Sequence, residues 1–166
     1  ATYLAGCYVK DSTITVSGYT RGEADKAPVY IHAGGLIGDA DLVIFALYPH
    51  VFVEWIEKNQ GLLKSGALLT DVTGVKRSIV YQIQDMLRPD VEFIAAHPMA
   101  GREVSGVENS TDSIFRGANY IVTPTEKNTP EAIELCRNLG EILGFKQVAE
   151  LTVEEHDEMI AVLSQL

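Results

Sequence analysis

The run Leu42-Val43-Ile44-Phe45-Ala46-Leu47 constrains the fold more than any other stretch, because it offers water no polar face. A strand of that kind has to be covered on both sides, as parallel strands sandwiched between helices are. It is far short of the roughly 20 apolar residues needed to cross a bilayer. Further strand patterns are predicted at residues 13–18, 67–71, 91–96, 119–123 and 145–151. Helical patterns fall between them. Val51, Phe52, Trp55 and Ile56 recur at helical spacing, and residues 78–87 continue the theme. Thr129 caps a helix that has Pro130 at its first position and an apolar stripe of Ala132, Ile133, Leu135, Cys136, Leu139 and Ile142. Thr152 with Glu155 forms a capping box for a last helix, and residues 1–9 read as an opening helix of small residues. Strands alternating with helices predict an α/β fold with a doubly wound, mostly parallel, Rossmann-like sheet.

Composition narrows the partners. Thirteen basic against 23 acidic residues give a net charge of -10 without a basic cluster, which argues against nucleic acid and anionic membrane surfaces. Cys7 and Cys136 are isolated, with neither metal spacing nor disulfide density. A reducing cytoplasm and no metal are therefore expected. Both ends read as cut: no methionine or cap precedes Ala1, and no stop signal follows the apolar residues up to Leu166.

Ligands of an open α/β sheet bind in the crevice at the carboxyl ends of its strands. That rule assigns Leu47, Tyr48 and Pro49 after one strand, and Asp71, Thr73 and Gly74 after the next, to a dinucleotide. The stretch Asp71-Val72-Thr73-Gly74-Val75-Lys76 also reads simply as a tight turn and a helix start. No glycine fingerprint is found, since Gly34-Gly35-Leu36-Ile37-Gly38 precedes a strand instead of following one. Thr20-Arg21 stands where a ribose-binding carboxylate is usual; the arginine suits a 2′-phosphate, or is a solvated surface residue. NAD and NADP both remain open. His97 follows Ala95-Ala96 into a loop with Gly101 and Gly106, where an imidazole can take a hydroxyl proton as a hydride leaves, or can be structural. Arg102 and Glu103 fit a polar substrate or a solvated pair. His156-Asp157, one turn into the last helix, fits a surface pair or a site lining.

His97-Pro98-Met99-Ala100-Gly101 with Glu103, Ser105 and Gly106, preceded by Asp71-Val72-Thr73-Gly74-Val75-Lys76 and Asp39-Ala40-Asp41-Leu42-Val43-Ile44, resembles the prephenate and arogenate dehydrogenases of tyrosine biosynthesis. Tyr120-Ile121-Val122-Thr123-Pro124 and His156-Asp157 fit as well. The resemblance implies NAD(P)-dependent oxidative decarboxylation of prephenate or arogenate, with hydride leaving the ring carbon that bears the 4-hydroxyl. It assigns His97 to that hydroxyl, and Met99, Ala100, Gly101, Arg102, Glu103 and His156 to the substrate. Family members usually carry a serine that orients the histidine where this chain has Gly74. The resemblance also implies a dinucleotide-binding domain over residues 1–151, with residues 152–166 opening a C-terminal helical domain that makes a homodimer. The glycine fingerprint would directly precede Ala1. The competing readings are another Rossmann reductase or hydroxyacid dehydrogenase, and a non-catalytic nucleotide-binding module.

Overall fold

The computed structural model describes residues 4–10, 13–19, 36–101 and 112–163. β1 (Leu4–Lys10) and β2 (Thr13–Tyr19) pair antiparallel, from Leu4 opposite Tyr19 to Lys10 opposite Thr13. The opening segment is thus a strand, where the sequence predicts a helix. Leu4, Ala5, Gly6 and Cys7 carry no strong joint preference, Tyr8 and Val9 favour a strand, and the β-branched partner strand supplies a ladder that the small-residue pattern does not reveal.

A one-turn helix, α1 (Leu36–Asp39), leads into β3 (Leu42–Phe45), and then come α2 (Pro49–Asn59), β4 (Leu68–Asp71), α3 (Val80–Met86) and β5 (Glu92–Phe93). β6 (Ala95–Met99), β7 (Asn119–Thr123), α4 (Pro130–Ile142), β8 (Gln147–Glu150) and α5 (Val153–Leu163) complete the order. β3, β4 and β5 are parallel, with Phe45 opposite Asp71 and Leu69 opposite Phe93. β7 pairs antiparallel with β6 and parallel with β8. Ile94 separates β5 from β6, yet its N–H donates to Leu69 O at 3.0 Å. β5 and β6 are accordingly two halves of one strand, the first lying on β4 and the second on β7. The sheet is mostly parallel, as expected, with β6–β7 as the antiparallel step.

Alternation along the strands sorts side chains to two cores. Val43, Leu69, Phe93 and Ala95 join α2 and α3 residues such as Phe52, Ile56, Val80 and Ile83. Leu42, Leu68, Ile94 and Ala96 join Ala132, Cys136 and Leu139 of α4. Both faces are covered over Leu42–Phe45, which is why those residues need no polar position; the strand ends there, two residues short of the predicted run, and Ala46 is exposed. Phe45 stacks on Phe52 at 4.3 Å between ring centroids, and Phe93 meets Phe52 edge-on at 5.4 Å. Burying each such ring contributes about 1.5–3 kcal/mol.

The predicted caps are present. Thr129 Oγ1 accepts from Ala132 N at 3.2 Å, and Thr152 and Glu155 exchange bonds, Glu155 N to Thr152 Oγ1 at 3.1 Å and Thr152 N to Glu155 Oε2 at 2.9 Å. α5 therefore starts at a defined residue, which fixes where His156 points. Among the described residues, no helix is long and apolar enough to cross a membrane.

Candidate active site

The parallel register sends β3 and β4 out of the sheet side by side, so the segments after Phe45 and Asp71 share one edge. Leu47 is buried and Tyr48 is exposed, while Pro49 opens α2. Thr73 is buried and Gly74 lies at the bend before α3. His97 enters this edge from β6. It lies within the strand, opposite Ile121, where the sequence places it just beyond the strand end. The antiparallel ladder with β7 carries the strand on through Pro98 to Met99.

A buried ion pair holds the residue before His97. Lys76 Nζ donates to Asp71 Oδ2 at 2.7 Å and Oδ1 at 2.9 Å, with both side chains fully shielded from water. Ala96 N donates to Asp71 Oδ1 at 3.0 Å, and Lys76 Nζ donates to Ala96 O at 2.6 Å. Both backbone groups of Ala96 are thereby fastened to the end of β4. Thr73 Oγ1 also bonds Asp71. Burial pulls the Lys76 ammonium below the ordinary lysine value, opposed by Asp71. The sequence assigns the backbone at Asp71 to the cofactor, and its carboxylate is turned inward and spent on these partners. Only its backbone remains for a ligand.

The His97 ring is half-buried. Its Nδ1 lies 2.9 Å from Nε2 of His156, whose own Nδ1 lies 2.8 Å from Asp157 Oδ1. Asp157 in turn accepts from Lys76 N at 3.0 Å and Arg77 N at 2.9 Å. The opposite side of the His97 ring faces Gly74, where a Cβ would stand 3.6 Å from Nε2. Burial, then the Lys76 ammonium and His156, lower the His97 pKa from 6.5 to about 4. It is a neutral acceptor across the physiological range. Partial burial works against ionisation of Asp157, but the N–H of Arg77, the ring of His156 and the N–H of Lys76 outweigh it and hold the carboxyl below its usual value.

The structure thus brings together Leu47, Tyr48, Pro49, Thr73, Gly74 and His97 along one edge, with Met99, Ala100 and exposed Gly101 leading away from it. His156 stands behind His97, fully buried, with both ring nitrogens committed to protein groups; it is not exposed to a substrate as the sequence reading places it. Thr20, Arg21, Arg102 and Glu103 lie outside the described residues. Sequence reasoning quotes Lys76 and Asp157 only as parts of motifs and misses their work. A lysine at the end of an Asp-Val-Thr-Gly-Val-Lys turn could have signalled the pair, but nothing local marks Asp157 as the residue that anchors a remote loop. Among the described residues, no group of His, Cys, Asp or Glu could hold a metal.

The profile of the family described as prephenate dehydrogenase, nucleotide-binding domain, matches residues 11–149. Prephenate dehydrogenase of Bacillus subtilis is 36% identical over 140 residues, which is 84% of this chain and 37% of that protein. The chain therefore spans little more than a third of that relative's length. The structure of A. aeolicus prephenate dehydrogenase in complex with hydroxyphenyl propionate and NAD+ superimposes with a TM-score of 0.67 at 27% identity, over 81% of this chain and 50% of that one. Synechocystis arogenate dehydrogenase gives a TM-score of 0.72 at 26% identity, over 87% of this chain and 53% of that one. With the motif around His97, its seat at the carboxyl edge of a parallel sheet and a profile match across most of its length, this chain belongs to the prephenate dehydrogenase family, as its nucleotide-binding domain.

Proposed function

We propose that the full protein oxidatively decarboxylates prephenate or arogenate with NAD or NADP, in tyrosine biosynthesis. The observation that carries this reading is His97, a neutral imidazole whose Nε2 faces the side-chain-free position of Gly74 at the carboxyl edge of the sheet. The same edge suits a nicotinamide cofactor: Gly74 leaves space against His97 that a larger side chain would fill, and the backbone from Leu47 to Pro49 and at Thr73 and Gly74 would hold the ring half. When bound, that cofactor supplies the hydride acceptor. Arg21 is assigned to its 2′-phosphate end, and Arg102 and Glu103 to the substrate with Met99, Ala100 and Gly101.

The protein's own part is the proton. His97 Nε2 accepts the 4-hydroxyl hydrogen as hydride leaves the same carbon. As the ring carboxylate departs as carbon dioxide and the ring becomes aromatic, the developing phenolate takes the proton back.

Residues 1–151 form the cofactor half. Residues 152–166 open a helical domain that closes the site and makes a homodimer in the cytoplasm. The test is steady-state turnover of the full-length protein with each substrate and each cofactor. His97→Asn should lower kcat by roughly 10²- to 10⁴-fold, the usual worth of a positioned acid or base. Undiminished turnover in that variant sinks the proposal.

A further inference from the structure

We propose that His156 and Asp157 act as positioning residues that set the tautomer of His97, so that its Nε2 presents a bare lone pair to the site. The inference rests on the reading of His97 as the proton acceptor. It begins at Asp157, whose ionised carboxylate can only accept hydrogen bonds. Two of those come from Lys76 N and Arg77 N. The 2.8 Å approach of His156 Nδ1 therefore requires a hydrogen on that nitrogen. A neutral ring with hydrogen on Nδ1 has none on Nε2. At 2.9 Å, His156 Nε2 then accepts from Nδ1 of His97. With its one hydrogen spent there, His97 keeps Nε2 free.

Three further observations make this the device on which the chain relies. Gly74 offers no side chain to orient His97 from the other side, so the ring has to be held through Nδ1. His156 is fully buried, which excludes water as a competing partner. Asp157 accepts from the backbone of Lys76 and Arg77, and Tyr81 OH donates to Glu154 at 2.9 Å, so α5 is tied by hydrogen bonds both to the β4–α3 turn and to α3 itself. The Asp71–Lys76 pair fixes the backbone of His97, and the relay from Asp157 fixes its ring. When the proton arrives on His97, its Nδ1 still faces His156 Nε2 with the Asp157 carboxylate behind that ring, as in triads where a carboxylate orients a histidine.

The test uses full-length protein carrying ¹⁵N-labelled histidine rings, together with His156→Leu and His156→Gln. The amide oxygen of glutamine reaches about where Nε2 stands and can accept from His97; leucine fills the space and cannot. In the wild-type spectrum His97 should be protonated on Nδ1 and bare on Nε2, and in His156→Leu a signal from Nε2-protonated His97 should grow. His156→Leu should lower kcat roughly 10- to 100-fold with the KM for prephenate and for NAD unchanged, and His156→Gln should recover most of the loss. A role in packing alone predicts the reverse order, with leucine tolerated better than glutamine. Wild-type His97 protonated on Nε2, or His156→Leu as active as wild type, overturns the inference. Should His156→Leu fail to fold, the wild-type spectrum still decides. If neither substrate turns over, the proposed function falls, while the spectrum reports on the relay independently.

Discussion

Asp71 and Lys76 meet at 2.7 Å with no solvent on either side chain, and between them they hold both backbone polar groups of Ala96. Removing one partner leaves an uncompensated buried charge, so Lys76→Met should destabilise the protein by about 3–5 kcal/mol. Replacing both, as Lys76→Met with Asp71→Leu, should recover only part of this. The N–H and C=O of Ala96 would then be orphaned, at about 1–3 kcal/mol each. Denaturant unfolding of the three variants checks the order, and full recovery in the double variant would show that the backbone of Ala96 does not depend on the pair.

Helix α4 lies close against the sheet at Gly140. A Cβ there would stand 2.6 Å from Tyr120 Cδ1 and 2.9 Å from Val148 Cγ2. Tyr120 is itself buried, and its ring cannot swing clear. Gly140→Ala should therefore cost about 1–3 kcal/mol by overpacking, against the gain of about 1 kcal/mol that alanine brings to an exposed helical glycine. A thermal melt that rises in this variant would contradict the contact.

His97 makes stability depend on pH in a window that can be named. Its folded pKa of about 4 lies below the ordinary 6.5, so between those values the unfolded chain binds the extra proton. The contribution is complete above pH 6.5 and is lost as pH falls toward 4. A partly exposed carboxylate with a depressed pKa, such as Asp157, loses its contribution only at lower pH. His97→Gln should flatten the dependence of the melting temperature between pH 6.5 and 4; an unchanged slope would place the titration elsewhere.

Much of this was legible in sequence, and the failures have physical causes. Residues 42–47 announce a strand covered on both faces because a continuous apolar run has no other stable use in a chain of this kind; Leu42–Phe45 is that strand, while its end before exposed Ala46 was not legible. Thr129, Pro130, Thr152 and Glu155 mark helix starts because capping is a local interaction between near neighbours. The strand at Leu4–Lys10 was hidden because its pairing with Thr13–Tyr19, and not its own propensity, decides it. The extension of β6 past His97 was hidden because it depends on pairing with β7, about twenty residues further along the chain. His97 itself was legible from its motif. Its support was not, since Lys76 lies 20 residues before Ala96 and 81 before Asp157.

Gly74 offers the most direct test of how His97 is held. Its backbone is not among the glycines with positive φ, so a side chain is sterically allowed. A Cβ would make ordinary contacts, 3.6 Å from Nε2 and 3.7 Å from Cε1 of His97. Gly74→Ser should therefore fold with a stability within about 0.5 kcal/mol of wild type. Its hydroxyl would come within hydrogen-bonding reach of Nε2, on the side opposite His156. Donating to that nitrogen, it would compete with the substrate hydroxyl for the lone pair, so Gly74→Ser should lower turnover in the wild type and should not rescue His156→Leu. Gly74→Leu should fill the space at Nε2 and lower turnover without unfolding the protein. Steady-state kinetics of Gly74→Ser, His156→Leu and the double variant measure the coupling; strictly additive effects would mean that the two positions do not act through the same imidazole.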